Sequence, residues 1–100
     1  MSSYAVIWAS EGHEESPVAG SLQVTPQGVV LHGGSRSAEQ RIEIRSDEIV
    51  CARRTDSRLG PLRAIALDSG YAGTILIASL AGASFRGEIL EQLQRLVAAL

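Results

Sequence analysis

The C-terminal segment, residues 84–100, has the sequence SFRGEILEQLQRLVAAL and decides the fold class. Its apolar side chains recur at helical spacing, and charged or amide side chains fall between them. This period predicts one amphipathic helix over about residues 84–99, with Ser84 as its N-cap. Leu90 widens the apolar face, so the helix is expected to fold by docking against a sheet or a barrel end. The predicted docking face consists of Phe85, Ile89, Leu93, Leu96, Val97 and Leu100.

Short segments with β-strand patterns precede the helix. Residues 41–45, RIEIR, alternate strictly between charged and apolar side chains, as a half-buried strand does. Residues 21–25 and 28–32 flank Pro26 and Gln27 and predict a tight hairpin. Between these segments lie stretches rich in Gly, Ser and charged residues, which predict loops. The remaining strands are predicted at residues 4–9, 49–52, 62–67 and 74–80, which gives seven strands within residues 3–80.

Length and composition indicate one globular domain over residues 1–100. The chain has 100 residues, of which 45% are hydrophobic, and this is enough to build a core without a disulfide or a metal. Cys51 is the only cysteine, and the N-terminus lacks the pattern of a secretory signal peptide. The apolar stretches are shorter than the roughly 20 residues that a membrane-spanning helix needs. We therefore expect a cytoplasmic protein without integral membrane insertion.

The charge distribution argues against nucleic-acid binding. The formal net charge is −2, whereas nucleic-acid binders carry a positive surplus on one face. All nine basic residues are arginine, and a chain without lysine is typical of a GC-rich coding genome. Nucleic acid is therefore not an expected partner.

The order of seven short strands and one C-terminal amphipathic helix resembles the pleckstrin-homology (PH) superfold. More specifically, residues 20–31 and 42–49 resemble a hairpin and the following strands of small bacterial PH-like and GRAM-like domains. The resemblance covers most of the chain. It implies a partly open, seven-stranded barrel of two nearly orthogonal antiparallel sheets, capped by the helix.

The loop after the first strand departs from the lipid-binding members of that superfold. Those members carry several basic residues there, whereas this chain has Glu11, Glu14 and Glu15. Carboxylates at this place repel a phosphorylated head group. Phosphoinositide binding is therefore not expected.

The only candidate binding residues are arginines that flank one predicted loop: Arg53, Arg54, Arg58 and Arg63. Guanidinium groups bind anions and acidic peptides. Acidic residues are interspersed in the same part of the chain, so a solvated face of mixed charge is the competing interpretation.

No residues are assigned to catalysis, to a metal or to a cofactor. His13 lies among carboxylates, but no second histidine follows at ligand spacing. Cys51 lies between apolar residues of a predicted strand, where a free cysteine acts as a small hydrophobe. The segments around residues 32–34 and 82–87 lack the spacing and context of a hydrolase motif. The protein is therefore not expected to be an enzyme.

Three functional hypotheses follow. The first is a non-catalytic module of PH-like type that binds a protein or peptide. The alternative is a carrier or sensor for a small apolar ligand, with the helix as a lid. The third is homodimerisation through an exposed strand, either residues 41–45 or residues 4–9.

Overall fold

A computed structural model describes residues 2–35 and 38–98. These residues form seven β-strands, a short 3-10 turn and one α-helix. The 3-10 turn, Ser46–Glu48, lies between the fourth strand and the fifth. The seven strands are β1 (Ser2–Ser10), β2 (Val18–Thr25), β3 (Gly28–Ser35), β4 (Ala38–Arg45), β5 (Ile49–Leu59), β6 (Leu62–Ser69) and β7 (Gly73–Ser79), and they are followed by helix α1 (Ala83–Ala98).

All seven strands belong to one antiparallel sheet with the order β4-β3-β2-β1-β7-β6-β5. β1 pairs with both β2 and β7, so hydrogen bonding is continuous where two separate sheets were expected. The sheet is open, with β4 and β5 as its edges. The predicted class, mainly β with seven antiparallel strands and one C-terminal helix, is confirmed.

The main core lies between one face of the sheet and helix α1. Trp8 of β1 is 2% exposed and belongs to this core, which explains the aromatic side chain in the first strand. Side chains with almost no surface accessible to water fill the space between sheet and helix. They include Leu22, Leu31, Ile44, Ile65, Leu67, Ile75, Ile89 and Leu93.

A smaller apolar cluster lies on the other face of β1, β7 and β6. Leu59, at the end of β5, is 0% exposed and packs with this cluster. The pairing of β5 with β6 is irregular between Arg54 and Arg58, where β5 has extra residues. The prediction of a loop after residue 52 is therefore corrected: the polar residues continue β5 through a bulge, and bulges increase strand bending.

Two glycines allow β2 and β3 to approach closely. Gly20 pairs with Gly33, and a Cβ atom on Gly20 would lie only 1.8 Å from the backbone oxygen of His32. The sequence suggested a loop over residues 33–39, but β3 continues to Ser35 and β4 starts at Ala38. Glycine is needed here for close packing within the sheet, and this is one of its uses besides turns.

The helix docks through most of the predicted face. Ile89, Leu90, Leu93 and Leu96 are buried, and Val97 packs against the same core. Phe85 differs from the prediction because it is 40% exposed. Leu100 lies outside the described residues. The helix begins at Ala83, so Ser84 lies within its first turn and not at the N-cap. Within residues 2–35 and 38–98, no helix has the length and apolar character that crossing a membrane requires.

Candidate functional site: an arginine groove

The turn between β5 and β6 brings two of the predicted arginines together. Arg58 lies directly opposite Arg63 across the strand pair. The Arg58 Nη1 atom donates a hydrogen bond to the backbone oxygen of Pro61 at 3.2 Å, which holds its side chain near the turn. Like charges at directly opposite positions destabilise a strand pair. The sheet therefore carries an unfavourable pair that an anion would relieve.

A third arginine, Arg86, joins this pair from the first turn of helix α1. The three side chains line one surface cavity of about 290 Å³, which we call the arginine groove. The groove is lined by Arg58, Pro61, Leu62, Arg63, Ser79, Leu80, Gly82, Ala83 and Arg86.

The arginine groove is cationic. Among the described residues, its lining includes no aspartate or glutamate. In the part of the chain that the structure describes, the ion pairs involve His32 and other arginines, and not Arg58, Arg63 or Arg86. A guanidinium group presents a planar fork of donors that matches a carboxylate or phosphate. The groove is thus suited to an anionic group.

Apolar surface adjoins these charges. Leu80 lines the groove and is 49% exposed, and Phe85, next to Arg86 in the chain, is 40% exposed. The backbone N–H of Leu80 donates to the backbone oxygen of Ala5 at 3.0 Å, which fixes this segment to β1. A ligand with both acidic and apolar groups would match this surface better than a simple anion.

Arg86 was not among the sequence-based candidates, because it lies far along the chain from Arg63. A signal was nevertheless present. The first turn of α1 contains no acidic residue, although the helix dipole favours negative charge there and disfavours arginine. An arginine at this position is unfavourable for the helix dipole, and this mismatch is the signal in the sequence.

The other two predicted arginines lie elsewhere. The Arg53 Nε atom is 2.8 Å from the Asp68 Oδ2 atom, in an ion pair across β5 and β6. Arg54 is exposed, is paired with Ile65 in the sheet, and is not part of the groove lining. The structure therefore brings together Arg58 and Arg63 of the four candidates, and adds Arg86.

Asp68 is the centre of a polar cluster that the sequence did not reveal. The Cys51 Sγ–H donates to the Asp68 Oδ2 atom at 2.9 Å, and the Thr74 hydroxyl donates to the Oδ1 atom at 2.7 Å. Hydrogen bonds from Arg53, then from Cys51 and Thr74, hold the pKa of Asp68 well below its ordinary value of 3.8. Asp68 therefore remains ionised in the folded protein at neutral pH.

The same contact makes Cys51 less acidic. Its hydrogen bond to Asp68 is the main cause that raises its pKa above the ordinary value, followed by burial. The thiolate is the nucleophilic form, so little of the reactive species is present at neutral pH. Among the described residues, no group of three His, Cys, Asp or Glu side chains is placed to hold a metal ion.

The acidic loop after β1 lies at the other end of the strands from the arginine groove. The backbone N–H of Glu11 donates to the backbone oxygen of Thr74 near the start of β7, whereas the groove contains Ser79 at the end of β7. Five residues of extended strand span about 17 Å, which is about twice the screening length at physiological salt. The loop therefore does not neutralise the groove.

Comparisons with known proteins support the fold and do not indicate an activity. No protein-family model and no curated protein matches the chain. A solved structure with a similar fold is the crystal structure of the C-terminal domain of an unknown protein from Leishmania infantum. It has 22% sequence identity and a TM-score of 0.66, over 93% of this chain and 82% of that one. At this identity, the similarity concerns the fold alone.

Proposed function

We propose that this protein is a non-catalytic interaction module of PH-like type that binds an acidic protein segment in the arginine groove. The observation that carries the proposal is the convergence of Arg58, Arg63 and Arg86 on one cavity, in whose lining the structure describes no carboxylate side chain. The strand order, with a C-terminal helix packed against an open sheet, supports the PH-like assignment.

The proposed ligand is a segment that combines carboxylates with an apolar side chain. The carboxylates pair with the guanidinium groups, and the apolar side chain contacts Leu80 and Phe85. A cytoplasmic setting is part of the proposal, and the unpaired Cys51 supports a reducing compartment.

Fluorescence anisotropy tests this proposal with a labelled peptide that alternates glutamate and leucine. We expect Arg63→Glu and Arg86→Glu each to weaken binding about tenfold or more, because each places a negative charge in the groove. Arg54→Glu is the matched control, since it makes the same charge change on an exposed arginine outside the groove. It should leave the affinity within about twofold.

Two results would contradict the proposal. One is equal weakening by Arg54→Glu, which would indicate attraction by net charge alone. The other is the absence of saturable binding by the unmodified protein.

Vesicles that contain a phosphoinositide provide a separate arm. We expect no binding to them, because Glu11, Glu14 and Glu15 remain at the loop where a head group would be held.

The alternative prediction, a carrier for a small apolar ligand, is not proposed. Side chains such as Leu67, Ile75 and Leu93 between sheet and helix are 0% exposed, so they offer no surface to a ligand. Native mass spectrometry of the purified protein tests this alternative, since a carrier would retain a bound apolar molecule.

A further inference from the structure

Strand β4 is an open edge of the sheet, and every second residue directs its backbone N–H and C=O groups away from the sheet. The backbone N–H of Ser46, just after β4, donates to the backbone oxygen of Gln27 on the β3 side. Hydrogen bonding alternates from residue to residue along an antiparallel strand. The even-numbered residues of β4 therefore bond to β3, and the odd-numbered ones direct their N–H and C=O groups to the open edge.

The odd-numbered residues of β4 all carry charge, with alternating sign: Glu39, Arg41, Glu43 and Arg45. All four are exposed. Within the chain, Arg41 pairs with Glu43, and Glu39 lies 2.6 Å from the Nε2 atom of His32. The strand thus presents an edge on which outward-facing backbone groups and alternating charges coincide.

We propose that a second copy of this chain binds to this edge, with β4 antiparallel to β4 around a twofold axis at Ile42. In this register, Arg41 lies opposite Glu43 of the second copy, and Glu39 lies opposite Arg45 of the second copy. Symmetry repeats both pairs. Every charged residue of the edge then faces the opposite charge, and opposite charges at facing positions stabilise a strand pair.

The charges also exclude the neighbouring registers. A shift that centres the axis on Arg41 places Arg41 against Arg41 and Glu39 against Glu43. A shift to Glu43 places Glu43 against Glu43 and Arg41 against Arg45. Facing like charges destabilise a strand pair, so the pattern favours the register centred on Ile42 over these two neighbours.

The inner face of β4 supplies an apolar contact at the same axis. Ile42 is half-buried in one chain and would meet Ile42 of the second copy. It lines a surface groove of about 440 Å³ together with Tyr71, which is 79% exposed. Pairing of two copies would cover part of this groove and would give the exposed tyrosine an apolar neighbour.

The other candidate strands are less suitable. β1, which contains residues 4–9, is paired on both sides by β2 and β7, so the hypothesis that it pairs with another copy is excluded. At the β5 edge, the Gln94 side chain of helix α1 donates to the backbone oxygen of Ala52 at 3.2 Å. At the β4 edge, the side chain of Glu48 accepts a hydrogen bond from the backbone N–H of Arg45 and covers one end of the edge. The central residues Arg41 and Glu43 therefore carry the interface.

Analytical ultracentrifugation over a range of concentrations, up to about 1 mM, tests the proposal on the full chain. The unmodified protein should change from the 10.6 kDa monomer to a dimer. Arg41→Glu makes the centre of the edge acidic, and Glu43→Arg makes it basic. Each variant alone should lose the dimer, a mixture of the two should form a heterodimer, and the double exchange R41E/E43R should restore the homodimer.

Matched controls make the same charge changes away from the edge. Arg54→Glu and Glu88→Arg lie on β5 and α1 and should leave the dimer unchanged. A monomer at every concentration would overturn the proposal. A dimer that the single variants do not weaken, or a mixture that fails to form the heterodimer, would also overturn it. Circular dichroism confirms that each variant is folded.

Discussion

Asp68 shows how one side chain can determine the chemistry of its neighbours. It accepts hydrogen bonds from Arg53 and Cys51 of β5 and from Thr74 of β7. Its negative charge is stabilised by these donors, and it makes ionisation of the adjacent thiol less favourable. The cluster therefore stabilises the sheet and keeps Cys51 protonated.

Asp68→Asn should make Cys51 more reactive. The substitution removes the charge that raises the pKa of the thiol and leaves Arg53, which lowers this pKa, beside it. Alkylation by iodoacetamide at pH 8 should become about threefold to tenfold faster than in the unmodified protein. In urea, where the contact is lost, the two proteins should react at equal rates. Equal rates in the folded state would show that Asp68 does not control the thiol.

The sequence could predict some of these residue environments but not others. Trp8 and Cys51 were both expected in strands, and the burial of Trp8 follows from its apolar neighbours. The contact between Cys51 and Asp68 depends on the register of β5 against β6. Register depends on turn geometry and on the β5 bulge, which local composition does not specify. The register and the bulge of β5 also explain why Arg53 lies away from Arg58 and Arg63.

At the scale of elements, helix α1 is the clearest link between sequence and structure. Its period of 3.6 residues identified Ile89, Leu93 and Leu96, and all are buried. Phe85 lies in the first turn of the helix and is 40% exposed. The helix should contribute to stability mainly through its central residues.

Leu93→Ala tests the contribution of helix docking. Leu93 is 0% exposed, and its truncation leaves a cavity in the core, so we expect the free energy of unfolding to fall by about 2–5 kcal/mol. Urea denaturation, monitored by the fluorescence of Trp8, provides the measurement. Leu80→Ala removes the same atoms from a side chain that is 49% exposed and should cost about 1 kcal/mol or less. Equal losses would mean that the helix does not dock as described.

The number of strands was predicted correctly, but several strands were predicted too short. The turn after residue 25 was recognisable because Pro26 lies in it and Gly28 follows it. In contrast, Gly33 and Gly34 resembled a loop, although they continue β3 beside β2. Residues 55–58 are polar and resembled a loop, although they extend β5. In both places, cross-strand contacts override the local propensity.

For the whole molecule, the open sheet separates regions of different charge. The arginine groove lies where β7 ends, the acidic loop lies near where β7 begins, and β4 forms a distant edge with alternating charges. A peptide in the groove and a second copy at β4 would therefore not compete for the same surface. The strand order is what allows one small domain to present both surfaces.

Global stability should depend on pH through Asp68. Its pKa is lower in the folded protein than its ordinary value of 3.8. The stabilisation is therefore complete above that value and is lost as the pH falls below it, because the unfolded chain takes up the proton first. We expect Asp68→Asn to lower the free energy of unfolding at pH 7 and to reduce its decline between pH 5 and pH 3, as measured by urea denaturation at each pH.

Thr74→Val, which removes one donor to Asp68, should cause a smaller change of the same sign. Parallel curves for the unmodified protein and Asp68→Asn would contradict this role of the cluster.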